Sequence, residues 1–108
     1  SMPSCYVCTF RDSIASIDHC PDNYIPGILR WFEMGDLAGL IAPRPLVVVA
    51  GKEDGIFPIH GVRETFDKIK AIYGAAGVPD NCRLIVGDGG HRFYAEPAWP
   101  AFRELSQW

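Results

Sequence analysis

The chain has 108 residues, 48% of them apolar, and a formal net charge of -3. That length amounts to one domain or less, small for a sheet covered by helices on both faces. Its basic residues are scattered with no cluster, which excludes a nucleic-acid surface, and no apolar run is long enough to cross a bilayer.

Ser1 followed by Met2 reads as a tag-removal scar ahead of an initiator methionine. No charged-then-apolar leader follows, so the expectation is a cytoplasmic chain forming one partial domain over residues 1–108. Cys5 to Phe10 is rich in β-branched and aromatic residues and predicts a short strand. Cys5 and Cys8 form a CxxC, with His19 and Cys20 as further conceivable metal ligands. Residues an odd number apart on a strand point to opposite faces, and no second CxxC follows, so buried or incidental free thiols are expected rather than a metal or redox centre.

Arg11 to Pro26 predicts a short helical turn and then a loop around Pro21, Asp22 and Asn23. Ile28, Leu29, Trp31, Phe32 and Met34 predict a short helix, apolar on most sides, that needs covering. Asp36 is the expected N-cap of a further turn, Leu37 to Ile41, stopped by Pro43. Leu46 to Ala50 is apolar at every position, the pattern of a strand buried on both faces of a parallel sheet. Gly51 ends it and Asp54 sits in the loop beyond, at the carboxyl edge where ligands and reacting groups collect in such sheets.

Val62, Phe66, Ile69, Tyr73 and Ala76 form one apolar stripe and predict a helix over 62–76, stopped by Gly77 and Pro79. Cys82 to Val86 is a second buried strand, so strand, helix and strand make a right-handed crossover with parallel neighbours. Gly87-Asp88-Gly89-Gly90-His91 follows, which brings His91 to the same edge as Asp54. A last helix near Pro97 to Leu105 packs Trp99, Phe102 and Leu105, with Pro97 and Pro100 in its first turn.

A carboxylate and an imidazole on adjacent Gly-flanked loops form the acid–base half of a hydrolytic triad. The carboxylate takes the Nδ1 proton and fixes the tautomer, leaving Nε2 to accept a proton from a nucleophile. Leu40 to Pro58, together with Gly87 to Tyr94, resembles the C-terminal part of an α/β-hydrolase, nearest to the dienelactone-hydrolase and acetyl-xylan-esterase-like carboxylesterases. The resemblance covers essentially the whole chain. It implies that the Cys5, Val47 and Ile85 strands match the last three of that family's eight, giving a small α/β sheet of about three mainly parallel strands with flanking helices. It also implies Asp54 as the triad acid, with Glu53 as fallback, and His91 as the base.

The chain departs from that family in one respect: it has no Gly-x-Ser-x-Gly elbow, and Ser13 and Ser16 lack flanking glycines. Without a nucleophile or oxyanion donors, efficient ester hydrolysis by the chain alone is not expected. No cofactor or metal is expected either. A sheet cut before its sixth strand exposes an edge, which predicts a homodimer joined through the Cys5 strand. Two alternatives remain: a carboxylesterase-type serine hydrolase completed by another chain or an unorthodox nucleophile, and a small-molecule or protein-binding module with Tyr24, Trp31, Phe57, Phe93 and Tyr94 as an aromatic rim.

Overall fold

A computed structural model describes residues 1–107. Its centre is β1 (Leu46–Gly51), paired in parallel with β2 (Cys82–Gly87), the register running from Leu46 opposite Cys82 to Gly51 opposite Gly87. All six residues of β1 are buried. Leu46, Val48 and Ala50 face one core with Val62, Ile69 and Tyr73, whereas Val47 and Val49 face a second core with Tyr94, Ala98 and Ala101. The unbroken apolar run thus records helices on both faces of the strand.

The first face is covered by α1 (Met34–Gly39), α2 (Ile59–Ala75) and the N-terminal loop; the second is covered by α3 (Ala95–Ser106). On α2 the expected stripe is buried at Val62, Ile69 and Tyr73, joined by Thr65, but Ala76 is exposed beyond the helix end. Ile69 is wholly inaccessible, so truncation to Ala costs about 2–5 kcal/mol. The Tyr73 hydroxyl donates to the Arg44 carbonyl at 2.6 Å and ties α2 to the segment entering β1.

Five sequence expectations need correction. Cys5 to Phe10 is not a strand: Cys5 has a left-handed φ of 51°, and the chain turns away after it into hydrogen-bonded turns over residues 9–17. The third element of the sheet lies earlier. Val47 N–H donates to Ser1 O and Val49 N–H to Pro3 O, while Cys5 N–H donates to Val49 O, so residues 1–5 run along β1 as an irregular edge. Pro3 has no N–H to give to that ladder, and one bridge, Ser4 opposite Val49, is all that qualifies as regular pairing. The regular sheet among the described residues therefore has two strands, not three.

The helix expected at Ile28 to Met34 is a single 3-10 turn, Ile28–Arg30, and the α-helix begins only at Met34. Glu33, not Asp36, is its N-cap. Asp36 Oδ2 accepts the Glu33 amide at 2.8 Å and the Glu33 side chain accepts the Asp36 amide, a reciprocal capping box; Glu33 Oε2 also accepts the Met34 amide at 3.2 Å. Glu33 Oε2 also accepts the Phe10 amide at 3.0 Å, which fastens the N-terminal loop to α1.

In α3, Pro100 lies inside the helix rather than in its first turn. It cannot donate to the Glu96 carbonyl; the buried Ala98 and Ala101 hold this helix on the sheet, and Trp99 stays 41% exposed.

Two glycines test how tightly the sheet's carboxyl edge is built. A Cβ on Gly51 would fall on the Gly90 carbonyl oxygen, whereas a Cβ on Gly74 in α2 meets nothing within 4 Å. Gly51→Ala should lower the unfolding free energy by about 1–3 kcal/mol, and Gly74→Ala should raise it by about 0.5 kcal/mol. Urea denaturation of the two variants checks both signs.

Candidate active site

Beyond the strand ends the two loops stay laced together. Lys52 N–H donates to Gly87 O at 2.8 Å and Glu53 N–H to Gly89 O at 2.9 Å, which pins the two loops together just past the last ladder pair. The missing Cβ of Gly51 permits this approach. On the other loop, the Tyr94 ring occupies the space a side chain on Gly87 would take, and its hydroxyl donates to Gly90 O at 2.6 Å. Arg92 stacks its guanidinium on the same ring, 4.6 Å from the centroid. Residues 87–94 are thereby wrapped around Tyr94, and His91 projects toward the β1 loop.

Asp54 meets it there. One carboxylate oxygen, Oδ1, accepts the amides of Ile56 at 2.8 Å and Phe57 at 3.1 Å. The other, Oδ2, is 2.9 Å from His91 Nδ1. The Asp54 side chain is 1% exposed and that of His91 44%. Burial alone would raise the Asp54 pKa, but the Phe57 and Ile56 amides and His91 outweigh it and hold the carboxyl below its ordinary value. An ionised carboxylate can only accept, so Nδ1 carries the proton and Nε2 of the neutral ring presents its lone pair. Glu53, the fallback acid, is exposed and lends its backbone to the loop lacing.

His91 stacks on Phe57 with centroids 5.8 Å apart, and His19 meets the other part of that ring edge-on at 5.5 Å. A groove of about 660 Å³ opens beside them, lined by Ser4, Cys5, Tyr6, His19, Asn23 and Phe57 among others. Of the expected aromatic rim only Phe57 borders it. Tyr94 is buried in the loop scaffold, Phe93 packs on Trp99, and Tyr24 accepts the His19 amide through its hydroxyl while lining a separate apolar groove. Trp31 is 73% exposed. Tyr6, Asn23 and Ser4 carried no sequence signal, because their approach to His91 is made by the N-terminal turns and by no local pattern.

The hydroxyls weighed from sequence are engaged elsewhere. Ser13 is fully buried; it donates to the Ile56 carbonyl at 2.7 Å, and at 3.2 Å its oxygen is left to accept from His19 Nε2. Ser16 donates to Asp12 O at 2.8 Å. All four cysteines are free. Burial pushes the Cys8 thiol up to about 11 and raises that of Cys5 as well, against the thiolate a cysteine nucleophile needs. Cys8 does not join Cys5 in a metal-ligand group. Among the described residues the candidate ligand group is Cys5, Asp54 and His91, whose donor atoms all lie within 4.8 Å of one another.

No family model matches the chain. Over 85 residues, 79% of its length, the chain is 31% identical to the Bacillus subtilis (strain 168) protein named "Putative hydrolase YtaP", of which it spans 28%. A carbohydrate esterase family 15 glucuronoyl esterase from Caldicellulosiruptor kristjansonii superposes with a TM-score of 0.70 at 18% identity, over 99% of this chain and 35% of that one. The methylesterase BT1017 superposes with a TM-score of 0.52 at 26% identity, over 67% of this chain and 16% of that one. The chain therefore spans about a third or less of each of these proteins. Together they support an α/β-hydrolase-like, esterase-like relationship.

The Asp54 contacts predict a pH signature. Because the folded pKa lies below the ordinary 3.8, the carboxylate's stabilisation is fully present above that value and is lost as pH falls through the lower folded value. Asp54→Asn should cost about 1–3 kcal/mol at pH 7, and its deficit against the unaltered chain should shrink below about pH 4. Denaturant unfolding at a series of pH values measures the difference.

Proposed function

We propose that this chain is the acid–base part of a carboxylic ester hydrolase of the α/β-hydrolase type. The observation that carries the reading is the 2.9 Å contact between Asp54 Oδ2 and His91 Nδ1 at the carboxyl edge of a parallel sheet, with Asp54 anchored by two amides. Asp54 is the orienting acid. It holds the Nδ1 proton and stabilises the imidazolium that forms when Nε2 takes a proton from a nucleophile. Proton delivery to the leaving alcohol is the reverse of that step.

The nucleophile and the oxyanion amides come from outside these residues. Ser13 and Ser16 have their hydroxyl protons committed to carbonyls, and the sequence has no nucleophile elbow. By itself the chain is an inefficient esterase, since removing oxyanion donors alone costs about 3–4 kcal/mol of transition-state stabilisation. Hydrolysis of p-nitrophenyl acetate by the purified chain should not exceed that of His91→Ala. A kcat/KM at least tenfold above that variant would overturn the inefficiency and point to a nucleophile beside Nε2.

The reading includes self-association and a cytoplasmic location, the latter supported by four free thiols. Residues 1–5 turn alternate backbone groups toward β1, so the groups of Met2 and Ser4 face outward as an open edge. The chain also exposes large apolar side chains, Trp31 at 73% and Leu40 at 74%. A second copy paired along the Ser1–Cys5 edge covers the open backbone groups. Light scattering after size exclusion should report a dimer at micromolar concentration, and a stable monomer refutes this part of the reading.

A further inference from the structure

The wall of the groove holds a donor that the acid–base pair does not use. Cys5 is 6% exposed, and its backbone is held at φ 51°, a left-handed value uncommon for a residue with a side chain. Its Sγ lies within 4.8 Å of both a carboxylate oxygen of Asp54 and a ring nitrogen of His91. We propose that Cys5 Sγ, Asp54 Oδ2 and His91 Nδ1 form a binding site for one thiophilic divalent cation of the zinc class.

The geometry is close to what such an ion requires. With bonds of roughly 2.0–2.3 Å, neighbouring donors of a tetrahedral zinc site stand about 3.3–3.7 Å apart. Nδ1 and Oδ2 are already at 2.9 Å, so they must open slightly, and the sulfur must close by about 1 Å at most. The half-exposed His91 ring has room to move, whereas Asp54 is fixed by the amides on its Oδ1. Hydrogen bonds of that kind orient a ligating carboxylate and tune its hold on the ion.

The donor chemistry selects the ion. One sulfur, one nitrogen and one oxygen suit zinc or cobalt and not magnesium or calcium, which take oxygen ligands. Three protein donors leave a fourth position for water, and the groove of about 660 Å³ beside them gives solvent a way in.

Proton balance is explicit. Binding releases the Cys5 thiol proton to solvent, and the Nδ1 proton leaves that nitrogen, its place taken by the ion; the neutral ring then carries its proton on Nε2. A histidine in that tautomer has no Nε2 lone pair, so the cation-bound form is shut off from acid–base work. This last consequence rests on the proposed function; the binding itself does not.

The test is a cobalt titration of the full chain under reducing conditions. One equivalent of Co²⁺ should bring up a thiolate-to-cobalt charge-transfer band in the near ultraviolet. His91→Ala, which removes a half-exposed side chain, should keep its far-ultraviolet circular dichroism and bind Co²⁺ at least tenfold more weakly, and Cys5→Ser should lose the band. Cys20→Ser, at the exposed thiol on the same groove, should leave both band and affinity unchanged. No charge-transfer band, a band kept in Cys5→Ser, unchanged affinity in His91→Ala, or loss in Cys20→Ser overturns the proposal. Because the readout is the cobalt spectrum, an absence of esterase activity leaves it standing.

Discussion

Two amide-to-carbonyl contacts past the ends of β1 and β2, Lys52 to Gly87 and Glu53 to Gly89, set the distance on which the rest of the edge depends. They are possible because Gly51 has no side chain to meet the Gly90 carbonyl. With the loops pinned, Asp54 needs only its own Asx-type turn, Oδ1 to the Ile56 and Phe57 amides, to aim Oδ2 at His91. The same turn places Phe57 under the His91 ring. One backbone constraint thus fixes the carboxylate, the imidazole and the floor of the groove.

Support for that constraint comes from both sides of the sheet. Val48 and Ala50 lock β1 onto the α2 face, and Val47 and Val49 lock it onto α3, where Tyr94 is both core and loop scaffold. Tyr94 therefore couples packing to the site: its ring fills the gap above Gly87 and its hydroxyl holds Gly90, one residue before His91. Among the described residues no buried side-chain nitrogen or oxygen lacks a partner, so the carboxylate sits in the apolar edge without an uncompensated polar group.

What was legible in the sequence followed local pattern. An all-apolar run gave β1, a 3.6-residue stripe gave α2, and glycines beside Asp54 and His91 marked the loops that meet. The N-terminal edge was misplaced because Cys5 to Phe10 has strand composition while Ser1 to Ser4 has little, and the ladder with β1 is a tertiary choice that overrides propensity. The cap at Glu33 was missed because a glutamate is an unusual N-cap, and it is favoured here by its second bond to the Phe10 amide. The groove wall, with Tyr6, Asn23 and the left-handed Cys5, was invisible for the same reason as the edge: it is assembled by turns that carry no period.

At the carboxyl edge the ionised Asp54 holds the proton of His91 on Nδ1, and proton NMR in water detects that proton. An exchange-protected, low-field imidazole N–H resonance should be present and should disappear in both His91→Ala and Asp54→Asn. A low-field resonance that survives Asp54→Asn, or none in the unaltered chain at low temperature, would contradict that placement of the proton.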